Sequence, residues 1–425
     1  MIMPTLPTNP SRSHSRELQL REAVLLVFCD QQPEACSRLQ RLSGKEWQRL
    51  LRWLDTSGLA LYFFDRVMEL RQGEMLPSDV FARLQQNLAD NTARTAGMIA
   101  ELSAIHREFQ RAALRYAVLK GFSLCPCSVP RPELRSQLDL DFLVAEESAL
   151  EARRILEARD FRLRAISGSS WEFKKNEMPG TSLKDLYKDA PRRCVELHIE
   201  SSANKGSVSL MARAEMRRFR DIDMPVLSSL DLFLGQGMHA FKHICSEFSR
   251  TAHLLEFRRH VIARHDDEAF WSELRRRSGN SPRAAIQLGV ITLLITHVMG
   301  GFAPASFTSW TVDRLPARVR FWVQLYAQRI VFASFPGSKL YLLLQKELAI
   351  SDVPARRSPR RALLPLNLPP LIVHAKANET LWMRLRRYQT QAWFILFRLR
   401  FHIVEGFRYL RESLRWQQYV NGVTL

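Results

Sequence analysis

The segment from Tyr116 to Val144 constrains the fold most, because it opens with a short apolar run and closes with two aspartates. The closing run, Leu138-Asp139-Leu140-Asp141-Phe142-Leu143-Val144, alternates polar and apolar residues, and such alternation predicts a half-buried strand. Asp139 and Asp141 then point to the same face, with Cα atoms roughly 6–7 Å apart. Two adjacent carboxylates repel each other, so a divalent metal between them is the natural partner.

A second alternating strand is predicted from Cys194 to Glu200. Glu196, His198 and Glu200 share one face of it, and the apolar residues between them face the core. Glu196 therefore supplies a third acid on a separate strand. We take His198 as a candidate for substrate binding, with a structural role as the alternative, and we predict that Glu200 is a solvated charge.

These residues suit nucleotidyl transfer, which needs a turn to hold a triphosphate and carboxylates to hold metal ions. The run from Tyr116 to Leu119 predicts a strand that ends at Lys120-Gly121-Phe122-Ser123, where the glycine allows a tight turn. Backbone N–H groups and a hydroxyl in such a turn can bind phosphate. The turn and the three acids together predict a metal-dependent phosphoryl-transfer centre.

Four short motifs resemble those of the bacterial uncharacterised nucleotidyltransferase family, within the polymerase-β-like nucleotidyltransferase superfamily. They are Leu119-Lys120-Gly121, Arg135, Asp139-Leu140-Asp141 and Glu196-Leu197-His198. The resemblance extends over about residues 45 to 305. It implies transfer of a nucleoside monophosphate from an NTP to a hydroxyl, with release of pyrophosphate.

The resemblance also implies a role for each matching residue. Asp139, Asp141 and Glu196 would bind two Mg²⁺ or Mn²⁺ ions, and Glu196 would help to activate the acceptor hydroxyl as a base. Four further residues would bind the NTP: Lys120 and Arg135 through their charge, and Gly121 and Ser123 at the β- and γ-phosphates.

Helical periodicity dominates both ends of the chain, so the predicted fold class is α+β. A small mixed-sheet nucleotidyltransferase core is expected between N-terminal and C-terminal helical regions. The predicted divisions are a disordered tail over 1–15, a helical region over 16–114, the catalytic core over 115–228, a helical domain over 229–352, a Pro/Arg-rich linker over 353–378 and a basic amphipathic helix over 379–425.

The formal charge of +19 favours an anionic partner, such as a nucleotide, a nucleic acid or an acidic membrane surface. The alternative is a general bias of the composition toward arginine.

The six cysteines form no CxxC pair and residues 1–15 lack the apolar core of a signal peptide, so we expect reduced thiols and a cytoplasmic protein. The apolar run over 284–303 predicts a buried helix rather than a membrane span.

Several alternatives stay open at this level. A toxin-type nucleotidyltransferase acting on tRNA and a non-catalytic nucleotide-binding protein are the rival functions, and the acceptor and oligomeric state are undetermined. His239 and His243 lack an evident third ligand, so we expect packing or acceptor contact rather than a zinc site. The aromatic stripe over 382–407 is predicted to be core, with docking at a membrane or partner protein as the alternative.

Overall fold

The computed structural model describes residues 12–29, 33–175, 185–189, 193–201, 209–247, 250–279, 282–350, 362–363 and 380–422. Residues 1–11 of the predicted tail, and all of the predicted linker except residues 362–363, lie outside this part of the chain. The first helix begins at Arg12, so the prediction of disorder was wrong for residues 12–15.

Among the described residues, five α-helices precede the sheet. Ser43 caps the third helix in a reciprocal capping box with Glu46. The long fifth helix has Pro77 as its N-cap, with no side-chain cap bond. The five are α1 (Arg12–Val27), α2 (Pro33–Gln40), α3 (Gly44–Ser57), α4 (Ala60–Glu69) and α5 (Ser78–Arg111).

The sheet has seven strands in the order β3-β4-β5-β2-β1-β7-β6, with β2 at its centre. β1 runs antiparallel to β2, and β5 runs parallel to it. The hairpin β6–β7 was not predicted from the sequence. The strands are β1 (Tyr116–Leu119), β2 (Asp139–Ala145), β3 (Arg162–Ser167), β4 (Ser170–Lys175), β5 (Arg193–Glu200), β6 (Glu215–Phe219) and β7 (Ile222–Val226).

The two faces of β2 have different environments. Leu140, Phe142 and Val144 are buried in a core that also contains residues of α5 and of α6 (Ala149–Ala158). The Phe142 ring lies 5.5 Å from that of Phe109 on α5, edge to face. Because successive side chains alternate, Asp139 and Asp141 lie on the opposite face of the sheet.

Helices also follow the sheet along the chain. The predicted α+β class, with helical regions before and after the sheet in the sequence, is therefore confirmed. The boundaries proposed at residues 114, 228 and 352 stay predictions. The helices are α7 (Ser229–Ile244), α8 (Thr251–Ala263), α9 (Glu268–Ser278), α10 (Pro282–Met299), α11 (Ala305–Thr308), α12 (Ala317–Val331), α13 (Tyr341–Ile350) and α14 (Leu381–Gly422).

Within the described residues, one helix has the length and apolar composition of a membrane span. This is α10, and 61% of its apolar window is buried inside the protein. Its Leu288, Ile291 and Leu294 are fully buried in the main helical core. Burial on this scale agrees with the expectation of a core helix for this segment.

The aromatic residues of α14 are mostly exposed, so the prediction that they form core was wrong. Trp382, Trp393, Phe397 and Phe407 are 73%, 66%, 43% and 71% exposed, whereas Phe401 is buried. Their spacing is typical of a helical stripe, but spacing does not reveal whether another element covers the stripe.

The prediction for Glu200 was also wrong. Its carboxylate accepts hydrogen bonds from the backbone N–H of Leu210 and Met211 and from the Ser209 hydroxyl. Glu200 therefore holds the segment just before β6 in place and is not a solvated charge.

Candidate active site

The turn after β1 has two successive residues with positive φ, and the second position has no room for a side chain. Lys120 and Gly121 have φ values of +49° and +44°, in the left-handed region that glycine tolerates best. A Cβ added to Gly121 would overlap the side-chain amide of Gln137. That amide donates to the Asp139 carbonyl at 2.7 Å, so the turn is packed directly against the start of β2.

We therefore expect Gly121→Ala to destabilise the protein and to impair activity. The left-handed backbone costs about 1–2 kcal/mol for a residue with a Cβ, and displacing Gln137 adds to that cost. Gly168→Ala is the matched control, because Gly168 also has a positive φ, +60°, but nothing lies within 4 Å of an added Cβ. Urea denaturation should show a larger loss for Gly121→Ala, and equal losses would contradict the packing argument.

The parallel pairing of β2 with β5 brings the charged residues together. Asp141 lies opposite Glu196, and Leu143 lies opposite His198. The Lys120 ammonium lies 2.6 Å from Asp141 Oδ1 and 3.9 Å from Glu196 Oε2. His198 Nε2 lies 3.1 Å from Asp141 Oδ1 and 3.4 Å from Glu196 Oε2. Two carboxylates and two basic groups thus form one compact cluster.

The surroundings shift the pKa values of these groups in opposite directions. Burial, reinforced by the charge of Asp141, raises the pKa of Asp139 to about 6. Hydrogen bonds from His198 outweigh burial and hold the pKa of Glu196 far below its usual range. Burial alone would lower the pKa of His198, but its bonds to Asp141 and Glu196 raise it to about 9. The cluster is therefore a strongly coupled charge network.

The donor set fits a divalent cation that prefers oxygen ligands. Asp141, Glu196 and His198 each offer one ligand atom, and these atoms all lie within 4.8 Å of one another. Carboxylates suit Mg²⁺ and Mn²⁺. The Lys120 ammonium supplies the compensating charge beside Asp141, as a metal ion would. Asp139 lies on the same face, where its charge contributes to raising the pKa of Lys120.

A comparison with protein families gives this geometry a context. The sequence profile of the uncharacterised nucleotidyltransferase family matches residues 43–300. The chain belongs to this family. The match contains the turn, both strands of the acidic cluster and helices α3 to α10, so the predicted family is confirmed.

A search of solved structures adds a distant likeness. The crystal structure of an antigenic nucleotidyltransferase-like protein from Paracoccidioides brasiliensis has 11% sequence identity and a TM-score of 0.28, over 47% of this chain and 91% of that one. No functional argument rests on so weak a similarity. No curated protein matches the chain.

Two of the nucleotide-binding residues that the family resemblance implied lie away from the cluster surface. Ser123 is fully buried, and both its N–H and its hydroxyl donate to the Lys120 carbonyl. Arg135 Nε donates to Glu256 Oε1 at 3.0 Å in a buried ion pair. In this arrangement Ser123 shapes the turn and Arg135 binds a helix of the C-terminal region. Phosphate contacts by either residue stay predictions.

Sequence reasoning named His198 as a substrate-binding residue but not as a metal ligand, and it missed one contributor to the site, Ser170. His198 lies close enough to both carboxylates to be a ligand, and its place two residues after Glu196 on an alternating strand was the available signal. The Ser170 hydroxyl on β4 donates to Glu196 Oε1. Nothing in the local sequence indicates that contact, because it depends on the pairing of β4 with β5.

Proposed function

We propose that the protein transfers a nucleoside monophosphate from an NTP to a hydroxyl of an acceptor and releases pyrophosphate. The observation that carries the proposal is the cluster of Lys120, Asp141, Glu196 and His198 beside the Gly121 turn, in a chain of the nucleotidyltransferase family. Membership of the family supports nucleotidyl transfer in general, and the specific reaction is our proposal.

Asp139, Asp141 and Glu196 would hold the Mg²⁺ or Mn²⁺ ions, with His198 as an additional ligand or as a partner of the carboxylates. Such ions, when bound, neutralise phosphate charge and make the acceptor hydroxyl more acidic. Lys120 is positioned to exchange its contact with Asp141 for a phosphate oxygen. Its ammonium would then stabilise the charge that develops on the leaving pyrophosphate.

The bond changes are those of an in-line displacement. The acceptor oxygen forms a bond to the α-phosphorus, and the bond from that phosphorus to the bridging oxygen of pyrophosphate breaks. The hydroxyl proton would pass to the Glu196 carboxylate, which the Ser170 hydroxyl holds in place, once substrate has displaced the His198 contact that keeps the pKa of Glu196 low. Gly121 lets the backbone after β1 approach the triphosphate closely.

The test is incubation of the full-length protein with each α-labelled NTP, Mg²⁺ or Mn²⁺ and a cell extract. We expect label on an acceptor only when a divalent metal is present, and none with the Asp139→Ala/Asp141→Ala protein. Absence of transfer with every NTP, or equal transfer by the double variant, would overturn the proposal.

A tRNA acceptor is the second candidate, and the charge of +19 favours it. It predicts that label appears in the tRNA fraction and that transfer weakens steeply as salt is raised. We also propose a cytoplasmic location, which the scattered cysteines of the sequence favour. A non-catalytic nucleotide-binding protein would instead bind NTP without turnover, with or without the carboxylates.

A further inference from the structure

A second cluster of metal-ligating side chains lies in the helical region that follows the sheet. His239 and His243 are one helical turn apart on α7, and His253 joins them from the first turn of α8. The three ring centroids are separated by 4.5, 4.6 and 4.8 Å. One nitrogen from each ring lies within 4.8 Å of the other two. The third ligand that the sequence did not reveal is thus present.

The rings come together because α7 and α8 pack against each other. Residues four apart on a helix lie on one face, so His239 and His243 both point the same way. His253 is only 7% exposed and faces them from the next helix. The α7 face that carries the two histidines therefore packs against the start of α8 through imidazoles instead of apolar side chains.

Burial opposes a positive charge on two of these rings, and neutral imidazole is the form that binds metals. Burial and the two neighbouring histidines lower the pKa of His239 far below its usual value. Burial also lowers the pKa of His253 to about 4. His253 Nδ1 lies 3.6 Å from Glu256 Oε2, which leaves its Nε2 for a ligand. A carboxylate behind a histidine is the usual support for a zinc-binding imidazole.

We propose that His239, His243 and His253 bind one transition-metal ion of the Zn²⁺ class, at a site separate from the Mg²⁺ or Mn²⁺ cluster. Imidazole nitrogens suit zinc, cobalt and nickel but not magnesium. Zn–N bonds of about 2.0–2.1 Å require nitrogens roughly 3.3 Å apart, so small side-chain rotations would complete the site. The proposal does not depend on the proposed nucleotidyl transfer.

The site lies within electrostatic range of two residues that we assign to nucleotide binding. The charges of Lys120 and Arg135 contribute to lowering the pKa of His239, so His239 lies within electrostatic range of both. A cation held by the three histidines would add positive charge on that side. It would also tie α7 to α8, and α8 carries the Glu256 that binds Arg135.

The experiment measures metal binding by the full-length protein after removal of metals with a chelator. Co²⁺ is titrated first, because its visible absorption reports tetrahedral nitrogen ligation, and Zn²⁺ then displaces it. The starting protein is Asp141→Asn/Glu196→Gln, which silences the acidic cluster. We expect one Co²⁺ per chain, displaced by Zn²⁺ and not by Mg²⁺.

Adding His243→Gln, or separately His239→Gln, should weaken binding by more than about 100-fold, since even changes behind the ligands cost 10–100-fold. His297→Gln is the matched control, because His297 is exposed on α10, and it should leave the affinity unchanged. Two ligand variants are used so that the test stands even if one of them misfolds. The proposal would be overturned if the starting protein did not bind Co²⁺, or if both ligand variants bound Co²⁺ as tightly as the starting protein.

A separate observation concerns the exposed apolar stripe of α14. Its members recur at intervals of three and four residues, apart from one interval of eight, with a repeat of eleven. This spacing keeps them on one side of a nearly straight helix. The stripe runs for roughly 50 Å at 1.5 Å per residue. Its residues, each half exposed or more, are Leu381, Leu385, Tyr388, Leu396, Leu399, Ile403, Phe407, Leu410 and Leu414.

The opposite side of α14 binds the rest of the protein. Trp416 Nε1 donates to Glu347 Oε1 at 2.8 Å, and Tyr326 donates to Glu412. His402 Nδ1 lies 2.8 Å from the ammonium of Lys339. The helix is therefore fixed in orientation, and the apolar stripe faces away from the protein.

Charge distinguishes the partners that this stripe can take. The acids of α14, Glu405 and Glu412, are both buried on the side that faces the protein. Arg386, Arg400 and Arg411 follow one edge of the stripe, interleaved with exposed Trp382 and Trp393. If a second copy packed on this face, the arginines of the two α14 helices would lie close together. They would repel each other, because no acid of α14 is on this face to pair with them. We infer that the stripe docks on an anionic lipid bilayer, where arginines meet headgroups and tryptophans lie at the interface.

The test is co-sedimentation of the full-length protein with vesicles. We expect binding to phosphatidylglycerol/phosphatidylcholine vesicles, little binding to phosphatidylcholine alone, and weakening near 1 M salt, where the Debye length is about 3 Å. Leu396→Gln/Leu399→Gln should lower the vesicle affinity at least about tenfold. Leu150→Gln is the control, since Leu150 is 72% exposed on α6.

Two results would overturn the membrane assignment. In the first, the protein binds neither kind of vesicle and forms dimers in light scattering, and Leu396→Gln/Leu399→Gln dissociates these dimers. This result would assign the stripe to contact with a second copy of the protein. The other is vesicle binding that the stripe variant leaves unchanged, because another surface would then hold the lipid.

Discussion

Asp141→Asn should reduce label transfer from an α-labelled NTP by about 10³-fold or more. Removing one electrostatic contact from a transition state commonly costs 10²–10³-fold, and Asp141 contributes to several. Its carboxylate contacts the Lys120 ammonium and His198, and it lies opposite Glu196 across the strand pair. Asparagine keeps the size and one acceptor oxygen but removes the charge that a metal ion requires.

The matched control for Asp141→Asn is Glu172→Gln. Glu172 lies on β4 directly opposite Glu196, but its carboxylate pairs with Lys174 at 2.7 Å. We expect this variant to retain wild-type transfer. Thermal unfolding and NTP binding should be measured for both proteins, so that loss of activity is separated from loss of folding. Transfer by Asp141→Asn within a few fold of the wild type would contradict the assignment of the catalytic centre.

The acidic strands were readable from the sequence because their geometry is local. A strand alternates its side chains, so Asp139 with Asp141, and Glu196 with His198, had to share faces. Which strand neighbours which is a property of the whole sheet. The family resemblance implied that Glu196 joins the two aspartates, but the parallel register that sets Asp141 beside Glu196 was not predicted.

The features that the sequence did not reveal have a common origin in tertiary packing. His253 completes a cluster with His239 and His243 only because α8 folds back on α7. The stripe of α14 has the periodicity of a core helix, but no described element covers it, and periodicity cannot report coverage. Arg135 matched a phosphate-binding motif, yet its partner is Glu256, more than a hundred residues away. Contacts that depend on tertiary packing stayed hidden.

Glu256 is the residue whose loss should destabilise the fold most. It is 2% exposed, and Arg135 Nε and the Tyr62 hydroxyl both donate to its Oε1 at 3.0 Å. These partners tie α4, the loop before β2 and α8 together. Glu256→Gln leaves the Arg135 guanidinium buried without a counter-charge, so we expect a loss of about 3–5 kcal/mol in the free energy of unfolding.

Urea denaturation followed by tryptophan fluorescence would measure this loss. Glu157→Gln is the control, because Glu157 pairs with Arg153 at 2.8 Å on the surface of α6 and should contribute no more than about 0.5 kcal/mol. A loss for Glu256→Gln as small as that of the control would contradict the importance of the buried pair.

The effect of Glu256 should also depend on pH. Burial would raise the pKa of this carboxyl, but Arg135 and His253 outweigh burial and hold it at about 2, against 4.5 for an ordinary glutamate. A carboxyl with a lowered pKa stabilises the folded state above its unfolded pKa, and the contribution is lost as the pH falls through the folded value. The stability gap between wild type and Glu256→Gln should therefore be full near neutral pH and narrow between about pH 4.5 and 2.

Replacing both partners separates the structural role of Arg135 from a role at the phosphates. Arg135→Met/Glu256→Leu removes both buried charges, so it should be more stable than Glu256→Gln, because the cost of an unpaired ion disappears. If Arg135 only supports the fold, the double variant keeps its NTP affinity and its transfer rate. If Arg135 also binds phosphate, as its motif implies, stability returns while NTP affinity falls. The double variant thus decides whether the guanidinium exchanges Glu256 for the nucleotide.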